Sequence, residues 1–322
     1  MSGSSFGFGA GGGAGGGSAG GGGSGSGLPP RPPLRPTGAL SSTSVAPQDA
    51  RRLSSAPEDR LWAYLNDNTG VRVPEDQNYF FESRLRRIML THQLKDLGAL
   101  VDIILGQGPS AAELRDKVVD ALMTHETSFF RNPEVFQKLQ ALLIPELTAR
   151  YPGPAELRVW SAASSTGQEA VSLSILLREH LRGRPYSIFG SDIGVGTVEK
   201  AKSYLYSVLE TNRGLSAAQL KDNFEREGAG FKVSAAVRAP ISYKVHNLLE
   251  PLMFMQPFHL VMLRNVLVYF DEASRLKAFE NVARVTLPGS VVVLGTGEQL
   301  LNVPEHLFSR HVEDRVAWLR RK

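Results

Sequence analysis

The sequence predicts an α/β protein in which a doubly wound parallel sheet follows a small all-α domain and carries a small inserted β-subdomain. Three observations lead to this prediction. From about residue 157 onward, short apolar segments alternate with segments of helical periodicity, which is typical of right-handed βαβ units. Residues 57–122 place their apolar side chains at helical spacing. Residues 1–52 are rich in Gly, Ser and Pro and have too few apolar side chains to form a core.

The composition restricts both the chemistry and the compartment. The 322 residues include no cysteine, which excludes disulfides, thiolate catalysis and cysteine-bound zinc, and we expect no metal site. No apolar run approaches the roughly 18 residues of a membrane helix, and no secretory signal is visible. We therefore expect a cytoplasmic protein without direct membrane insertion. Most of the net charge of +4 comes from residues 1–52, so we expect no nucleic-acid partner.

Changes in composition predict three parts. Residues 1–52 form a tail, which is either a plain flexible segment or a tether with a proline-rich ligand at 28–36. Residues 53–125 form the helical domain, and residues 126–322 form the α/β domain. An insert at about 215–240 should contain a helix capped by Ser216 and a hairpin turn at Glu227–Gly230. The insert is either a specificity element or a loop without a role.

The helical domain carries a basic face. A helix is predicted from Asn78 to Leu94, and its polar side presents Arg84, Arg86 and Arg87. This face is either simply solvated or a docking stripe for an acidic partner.

The remaining elements follow from the same periodicities. Ser110 is predicted as the N-cap of a helix ending at Met123, in a capping box with Glu113. Further helices are predicted at 168–181, 196–206 and 272–286, and the first of these is expected to be amphipathic. Strands are predicted at 158–163, 186–190, 241–246, 259–263, 290–294 and 315–319.

Polar residues at predicted strand ends outline a ligand site, because ligands of doubly wound sheets bind at the carboxyl ends of the strands. Asp192 ends the second strand, where a carboxylate is placed to accept the ribose hydroxyls of an adenosine; a strand-end turn acid is the alternative. Within the predicted α/β region at 126–322, neither a G-x-G-x-x-G fingerprint nor a P-loop lysine is present, which favours a nucleoside without phosphates. Asn247 and Arg264–Asn265 end two further strands. Glu169 either complements a helix dipole or faces a cationic ligand group.

The stretch Thr124–Arg131 joins the two domains and mixes hydroxyl, imidazole, carboxylate, aromatic and guanidinium groups. A polar hinge of this kind is a common place for a ligand cleft. A capped helix start, with Asn132 as N-cap and Pro133 as N1, also explains the stretch. That interpretation gives Thr127 and Arg131 no role.

Taken together, these segments resemble the CheR-type chemotaxis receptor methyltransferases, a family of S-adenosylmethionine-dependent protein-glutamate O-methyltransferases. The resemblance covers about residues 57–320 and is carried by five stretches: Glu126–Arg131, Arg158–Glu169, Gly190–Ile193, Asn247–Leu249 and Arg264–Phe270. It implies a Rossmann-like class I methyltransferase sheet. It also implies S-adenosyl-L-methionine as cofactor, S-adenosyl-L-homocysteine as product, and glutamates of methyl-accepting chemotaxis receptors as substrate.

The resemblance also assigns residues to roles. Those it places at the cofactor are His125, Thr127, Arg131, Glu169, Asp192, Asn247, Leu248, Arg264 and Asn265. Arg131 and Tyr269 would stand at the methyl-transfer centre. Arg84, Arg86 and Arg87 would face the cytoplasmic helical bundle of the receptor, which favours the docking interpretation. A monomer recruited to receptor arrays is expected.

The sequence departs from the family pattern in places. His125 stands where the family usually has Asn, and since imidazole titrates at about pH 6.5, cofactor affinity would depend on pH. Gly295–Glu298 replaces a Gly-His-Ser-Glu pattern, which leaves the role of that loop open. The segment 225–240 is short beside members that bind a receptor's C-terminal peptide, which predicts independence from such a peptide.

Methyl transfer to a glutamate needs no general base, because a carboxylate with a reference pKa of about 4.3 is already ionised at neutral pH. The site must instead supply alignment and partial desolvation. The alternative function is a non-catalytic module that binds S-adenosylmethionine or S-adenosylhomocysteine and signals through the tail or the basic helix. A small-molecule carboxyl methyltransferase is a third hypothesis, which the basic helix disfavours.

Overall fold

The structure, a computed structural model, describes residues 56–72, 78–181, 183–253 and 255–322. The predicted tail at 1–52 lies outside the described residues. Within these ranges, none of the helices combines the length and the apolarity needed to cross a bilayer.

Four helices form the N-terminal part: α1 (Pro57–Thr69), α2 (Asn78–Thr91), α3 (Leu97–Leu105) and α4 (Pro109–Leu122). They enclose a core of their own, whose fully buried members include Leu61, Leu65, Leu85, Leu100, Ile104 and Val118. The predicted cap of α4 is wrong. Gly108 occupies the N-cap position and Pro109 opens the helix without a side-chain cap. Proline has the backbone angle of a first helical residue, so the helix starts two residues earlier than predicted and takes Ser110 into its first turn.

A helical segment then leads to the sheet. It consists of α5 (Pro133–Lys138), a π-helical turn (Leu139–Leu143) and α6 (Ile144–Arg150). Its buried residues Val135, Leu139 and Leu147 pack into the main core.

The predicted α/β fold class is confirmed. The main sheet has seven strands: β1 (Leu157–Ala162), β2 (Tyr186–Asp192), β6 (Ile241–Val245), β7 (Phe258–Leu263), β8 (Thr286–Leu294), β9 (Phe308–Glu313) and β10 (Val316–Arg321). Their order in the sheet is β6-β2-β1-β7-β8-β10-β9. Strands β6, β2, β1, β7 and β8 are parallel, and β10 runs antiparallel to both β8 and β9.

The helices beside the sheet are α7 (Gln168–His180), α8 (Val195–Ser203) and α12 (Glu272–Arg284). The sequence predicts α7 as amphipathic, but its first ten residues are buried apart from the half-buried Glu169. The outer side of α7 is covered, and Ser174 Oγ donates to the carbonyl of Val237 in α11 (Ala235–Arg238) at 2.6 Å.

A small antiparallel sheet, ordered β3-β5-β4, lies between α8 and β6 in the chain. Its elements are β3 (Leu205–Ser207), α9 (Val208–Thr211), α10 (Ala217–Asn223), β4 (Phe224–Glu227) and β5 (Gly230–Val233). The predicted Ser216 cap and the hairpin are confirmed. The predicted helix at 196–206 ends early, because Tyr204 turns left-handed (φ 52°) and frees the next residues to pair with β5.

Candidate functional site

A cleft opens where β1, β2, β6 and β7 reach their carboxyl ends. Strand order reverses at β1, which has β2 on one side and β7 on the other, and this is where doubly wound sheets bind ligands. The cleft volume of about 310 Å³ falls within the roughly 300–1,000 Å³ of small-molecule sites. Every residue predicted for the cofactor or the methyl-transfer centre lines this cleft: His125, Thr127, Arg131, Glu169, Asp192, Asn247, Leu248, Arg264, Asn265 and Tyr269.

Asp192 ends β2 with its carboxylate held by the backbone. Ser165 N donates to Oδ2 at 2.8 Å, and Gly194 N donates to Oδ1 at 3.1 Å. The residue is only 7% exposed. Burial raises the pKa of the carboxyl, although both hydrogen bonds and the nearby His125 oppose the rise. Each oxygen keeps acceptor capacity, which suits the two hydroxyls of a ribose.

The hydroxyl groups of two tyrosines hold the loop Ser164–Gly167, which follows β1. Tyr206 donates to the carbonyl of Thr166 at 3.0 Å, and Tyr243 donates to the carbonyl of Gly167 at 3.2 Å. Burial raises the pKa of both phenols, so they stay protonated donors. A Cβ at Gly167, where φ is 97°, would lie 2.6 Å from Tyr243 Oη. The loop can therefore lie this close to the tyrosines only with glycine at this position.

Arg264 is a buried connector at the end of β7. Its Nη1 pairs with Glu169 Oε2 at 2.8 Å, and its Nη2 donates to the Arg131 carbonyl (2.8 Å) and to Asn132 Oδ1 (2.9 Å). The other oxygen of Glu169 accepts from Ser161 Oγ at 2.7 Å. The guanidinium thus joins β7, the start of α7 and the turn at 131–132.

Several bonds fix the stretch Thr124–Arg131. Phe130 N donates to Ser172 Oγ of α7 at 2.9 Å, and Arg131 Nη1 donates to the Glu126 carbonyl at 2.7 Å. Asn132 does occupy the predicted N-cap position of α5, but its side chain makes no cap. Its oxygen accepts from Arg264 instead. The turn at 131–132 therefore starts a helix and also binds Arg264, which lines the cleft.

His125 lies between the helical region and the α/β region. Its Nε2 is 2.9 Å from the Asp120 carbonyl of α4, and Thr197 Oγ1 of α8 is 3.3 Å from the ring nitrogens. Asp120 also accepts from Thr197 Oγ1 at 3.0 Å and from the backbone N–H of Gly196. Asp120 thus caps the start of α8 across this boundary.

The sequence did not indicate that the end of α1 would form a wall of the cleft. Arg72 N donates to the Tyr269 carbonyl at 2.7 Å, and Val71 forms a β-bridge with Phe270. We call residues Gly70–Arg72 the α1 strap. Its conformation begins at Gly70, which ends α1 with a φ of 72°. The sequence can indicate that a helix ends at a glycine. It gives no signal that the residues after this glycine pair with a segment about 200 residues further along the chain.

Residue Asn247 also connects to α1. Its Nδ2 donates to the Asn68 carbonyl at 2.6 Å, and its Oδ1 accepts from Leu249 N at 3.0 Å. The side chain therefore holds β6 against α1 where both border the cleft. The neighbouring His246, which the sequence prediction missed, lines the cleft and packs against Trp160 with ring centroids 6.1 Å apart.

The three predicted docking residues lie outside this cleft, on α2, and all are exposed. Arg84 donates to the carbonyls of Ala121 (3.3 Å) and Met123 (3.2 Å) at the end of α4. A second, open groove between α2 and α4 is lined by Arg84, Arg87, Ile88, Thr91, His92, Lys117, Asp120 and Ala121.

Comparison with known proteins agrees with this geometry. Residues 125–315 match the family described as "CheR methyltransferase, SAM binding domain". The chain is 33% identical over 250 residues to "Chemotaxis protein methyltransferase 1" of Pseudomonas aeruginosa, covering 76% of this chain and 90% of that protein. It is 30% identical over 249 residues to "Chemotaxis protein methyltransferase" of Vibrio parahaemolyticus, covering 75% and 88%. The chain therefore belongs to the CheR family of S-adenosylmethionine-dependent methyltransferases.

Proposed function

We propose that this protein transfers methyl groups from S-adenosylmethionine to glutamate side chains of methyl-accepting chemotaxis receptors. The observation that carries the proposal is one continuous cleft with the acceptor Asp192 inside it and Arg131 and Tyr269 also on its lining. A carboxylate substrate suits a site where a guanidinium and a phenol are available as donors. The names of the relatives, which are chemotaxis protein methyltransferases, support a substrate in that system.

The residues of the cleft fit S-adenosylmethionine. Asp192 supplies a charged acceptor for the ribose, and the buried Leu248 beside it supplies apolar surface for the adenine. The Glu169–Arg264 ion pair forms part of the cleft lining near the methionine end of the cofactor. When bound, the cofactor supplies an electrophilic methyl group on a sulfonium.

The protein's task is then alignment. A glutamate carboxylate is ionised at neutral pH, its reference pKa being about 4.3, so it can attack without a general base. Arg131 and Tyr269 hold the carboxylate in line with the methyl carbon, and the walls of the cleft exclude water. Orientation of this kind can supply about 7–11 kcal/mol of a reaction barrier.

The exposed face of α2 docks the receptor. Arg86 and Arg87 are exposed and can meet acidic side chains of a helical bundle, whereas Arg84 is partly engaged in holding the last carbonyls of α4. The small sheet has strands of only three and four residues. In keeping with these short strands, we propose that docking does not require a C-terminal peptide of the receptor.

Calorimetry with S-adenosylhomocysteine, followed by transfer of labelled methyl groups to a receptor cytoplasmic fragment, tests this function. We expect binding and base-labile label on the fragment. Binding without transfer to any receptor fragment would instead identify a non-catalytic module. Transfer to free carboxylic acids but not to the fragment would identify a small-molecule enzyme.

A further inference from the structure

Glu298 is a fully buried carboxylate with no role in the function proposed above. It ends the short 3₁₀ turn after β8 and is 0% exposed. Its Oε1 accepts from the backbone N–H groups of Val266 (2.8 Å) and Leu267 (2.7 Å). Its Oε2 accepts from those of Asn265 (2.9 Å) and Gly295 (2.6 Å). We call this arrangement of one carboxylate and four amides the carboxylate clasp.

The clasp holds a backbone conformation that needs support. Asn265 has a φ of 58°, a left-handed conformation that residues other than glycine keep only where their surroundings hold it. The amides of residues 265–267 all donate to one carboxylate, which is the arrangement of an anion-binding nest. Glu298 supplies the anion. Burial raises the pKa of its carboxyl, and the four N–H donors oppose that rise.

The clasped segment carries two groups that the proposed function uses. Asn265, the second residue after β7, lines the cleft, and Tyr269 ends the 3₁₀ turn Leu267–Tyr269 on the same cleft. The α1 strap holds the far end of this segment through Tyr269 and Phe270. The carboxylate clasp holds the other end, at Asn265. The backbone conformation from Asn265 to Tyr269 therefore depends on both the clasp and the α1 strap.

The clasp also explains which part of Gly-Thr-Gly-Glu matters. A Cβ at Gly295 would lie 2.6 Å from Glu298 Oε2 and 2.8 Å from Asn265 N, so the first position requires glycine. Thr296 and Gly297 are exposed. The residues that depart from the family pattern therefore lie outside the clasp, and those that form it are retained.

We propose that Glu298 is a positioning residue for methyl transfer, which sets the backbone that carries Asn265 and Tyr269. This proposal rests on the roles proposed above for those two residues. Glu298 itself is fully buried and is not among the residues that line the cleft.

The test is Glu298→Gln in the full-length protein, with Glu305→Gln as a matched control on an exposed carboxylate. A glutamine side chain has one oxygen, which can accept from one pair of amides. Its NH₂ group is a donor and would lie against the N–H donors of the other pair. We expect S-adenosylhomocysteine affinity to fall about tenfold or more, since hydrogen bonds to charged groups are lost. We expect kcat to fall with little change in KM for the receptor fragment, because α2 is untouched.

Hydrogen exchange separates positioning from general stability. Protection in E298Q should fall in residues 264–270 and stay unchanged in the strands β1 and β2. Unchanged affinity, kcat and exchange would overturn the proposal. Loss of protection throughout the molecule would also overturn it, because Glu298 would then hold the fold as a whole. Wild-type protein that binds S-adenosylhomocysteine without methylating the receptor would refute the proposed substrate, while the affinity and exchange results would still decide the role of Glu298.

Discussion

Asp192 is buried, and the role proposed for it is that of a charged acceptor for the ribose; this combination predicts that cofactor affinity depends on pH. Burial raises the pKa of its carboxyl in the free protein. Ribose hydroxyls donate to the ionised form, so binding is strongest above this raised pKa and weakens as the pH falls through it. We expect calorimetry with S-adenosylhomocysteine to show weaker binding at the acidic end of the range in which the protein stays folded.

Two substitutions separate Asp192 from His125. Asp192→Asn should weaken binding by about ten- to a hundredfold, as expected for hydrogen bonds to a charged group, and should remove the acidic loss of affinity. His125→Asn, which installs the usual family residue, should keep that loss. If H125N and not D192N removes the pH dependence, the imidazole is the responsible group.

Arg131 is the residue whose side chain we place against the incoming carboxylate. Arg131→Ala should lower kcat by about ten- to a hundredfold or more, the effect of losing a charge-assisted hydrogen bond in the transition state. S-adenosylhomocysteine affinity and the melting temperature should change far less, because the backbone carbonyl that binds Arg264 remains. Arg226→Ala, on the exposed small sheet, serves as control. Turnover in R131A equal to that of R226A would remove Arg131 from the mechanism.

At the scale of elements, α2 should act on docking without acting on chemistry. Arg86→Glu combined with Arg87→Glu reverses exposed charges on residues that do not line the cleft. We expect KM for the receptor fragment to rise and kcat to stay unchanged. KM should also depend less on salt concentration, because salt screens the attraction between exposed charges and the reversal removes that attraction. Matched reversals at the exposed Lys221 and Arg226 should leave KM unchanged. An equal rise in KM for both pairs would show that net charge, and not the α2 face, determines docking.

The elements also show what the sequence could reveal. Periodicity predicted β1, β2, β6 and β7 closely, because buried parallel strands read as short apolar runs. It predicted the wrong exposure for α7, since α11 packs against the outer side of that helix. Pairings between distant segments left no local signal, as the α1 strap and the carboxylate clasp show. Asp192 and Arg131 were found because strand ends and family motifs point to them, whereas Val71, Arg72 and His246 have no such pattern.

At the scale of the whole molecule, one cleft brings together residues from the helical region, the β1 loop and three other strand ends. The Asp120 cap, the α1 strap and Asn247 each fasten the helical region to the sheet beside that cleft. The residues proposed to dock a receptor and those proposed to align the methyl acceptor are therefore held in one frame. The division of the chain at residue 125 remains a prediction, and these contacts show how closely the two parts adjoin.

The measurement that tests the central claim most directly is the mapping of methyl groups on a receptor cytoplasmic fragment after incubation with the protein and S-adenosylmethionine. We predict base-labile methyl esters on particular glutamates, lost from those sites when they are changed to alanine in the fragment. R131A protein should give almost none. Methyl groups on other residue types, or an unmodified fragment alongside tight S-adenosylhomocysteine binding, would contradict the claim.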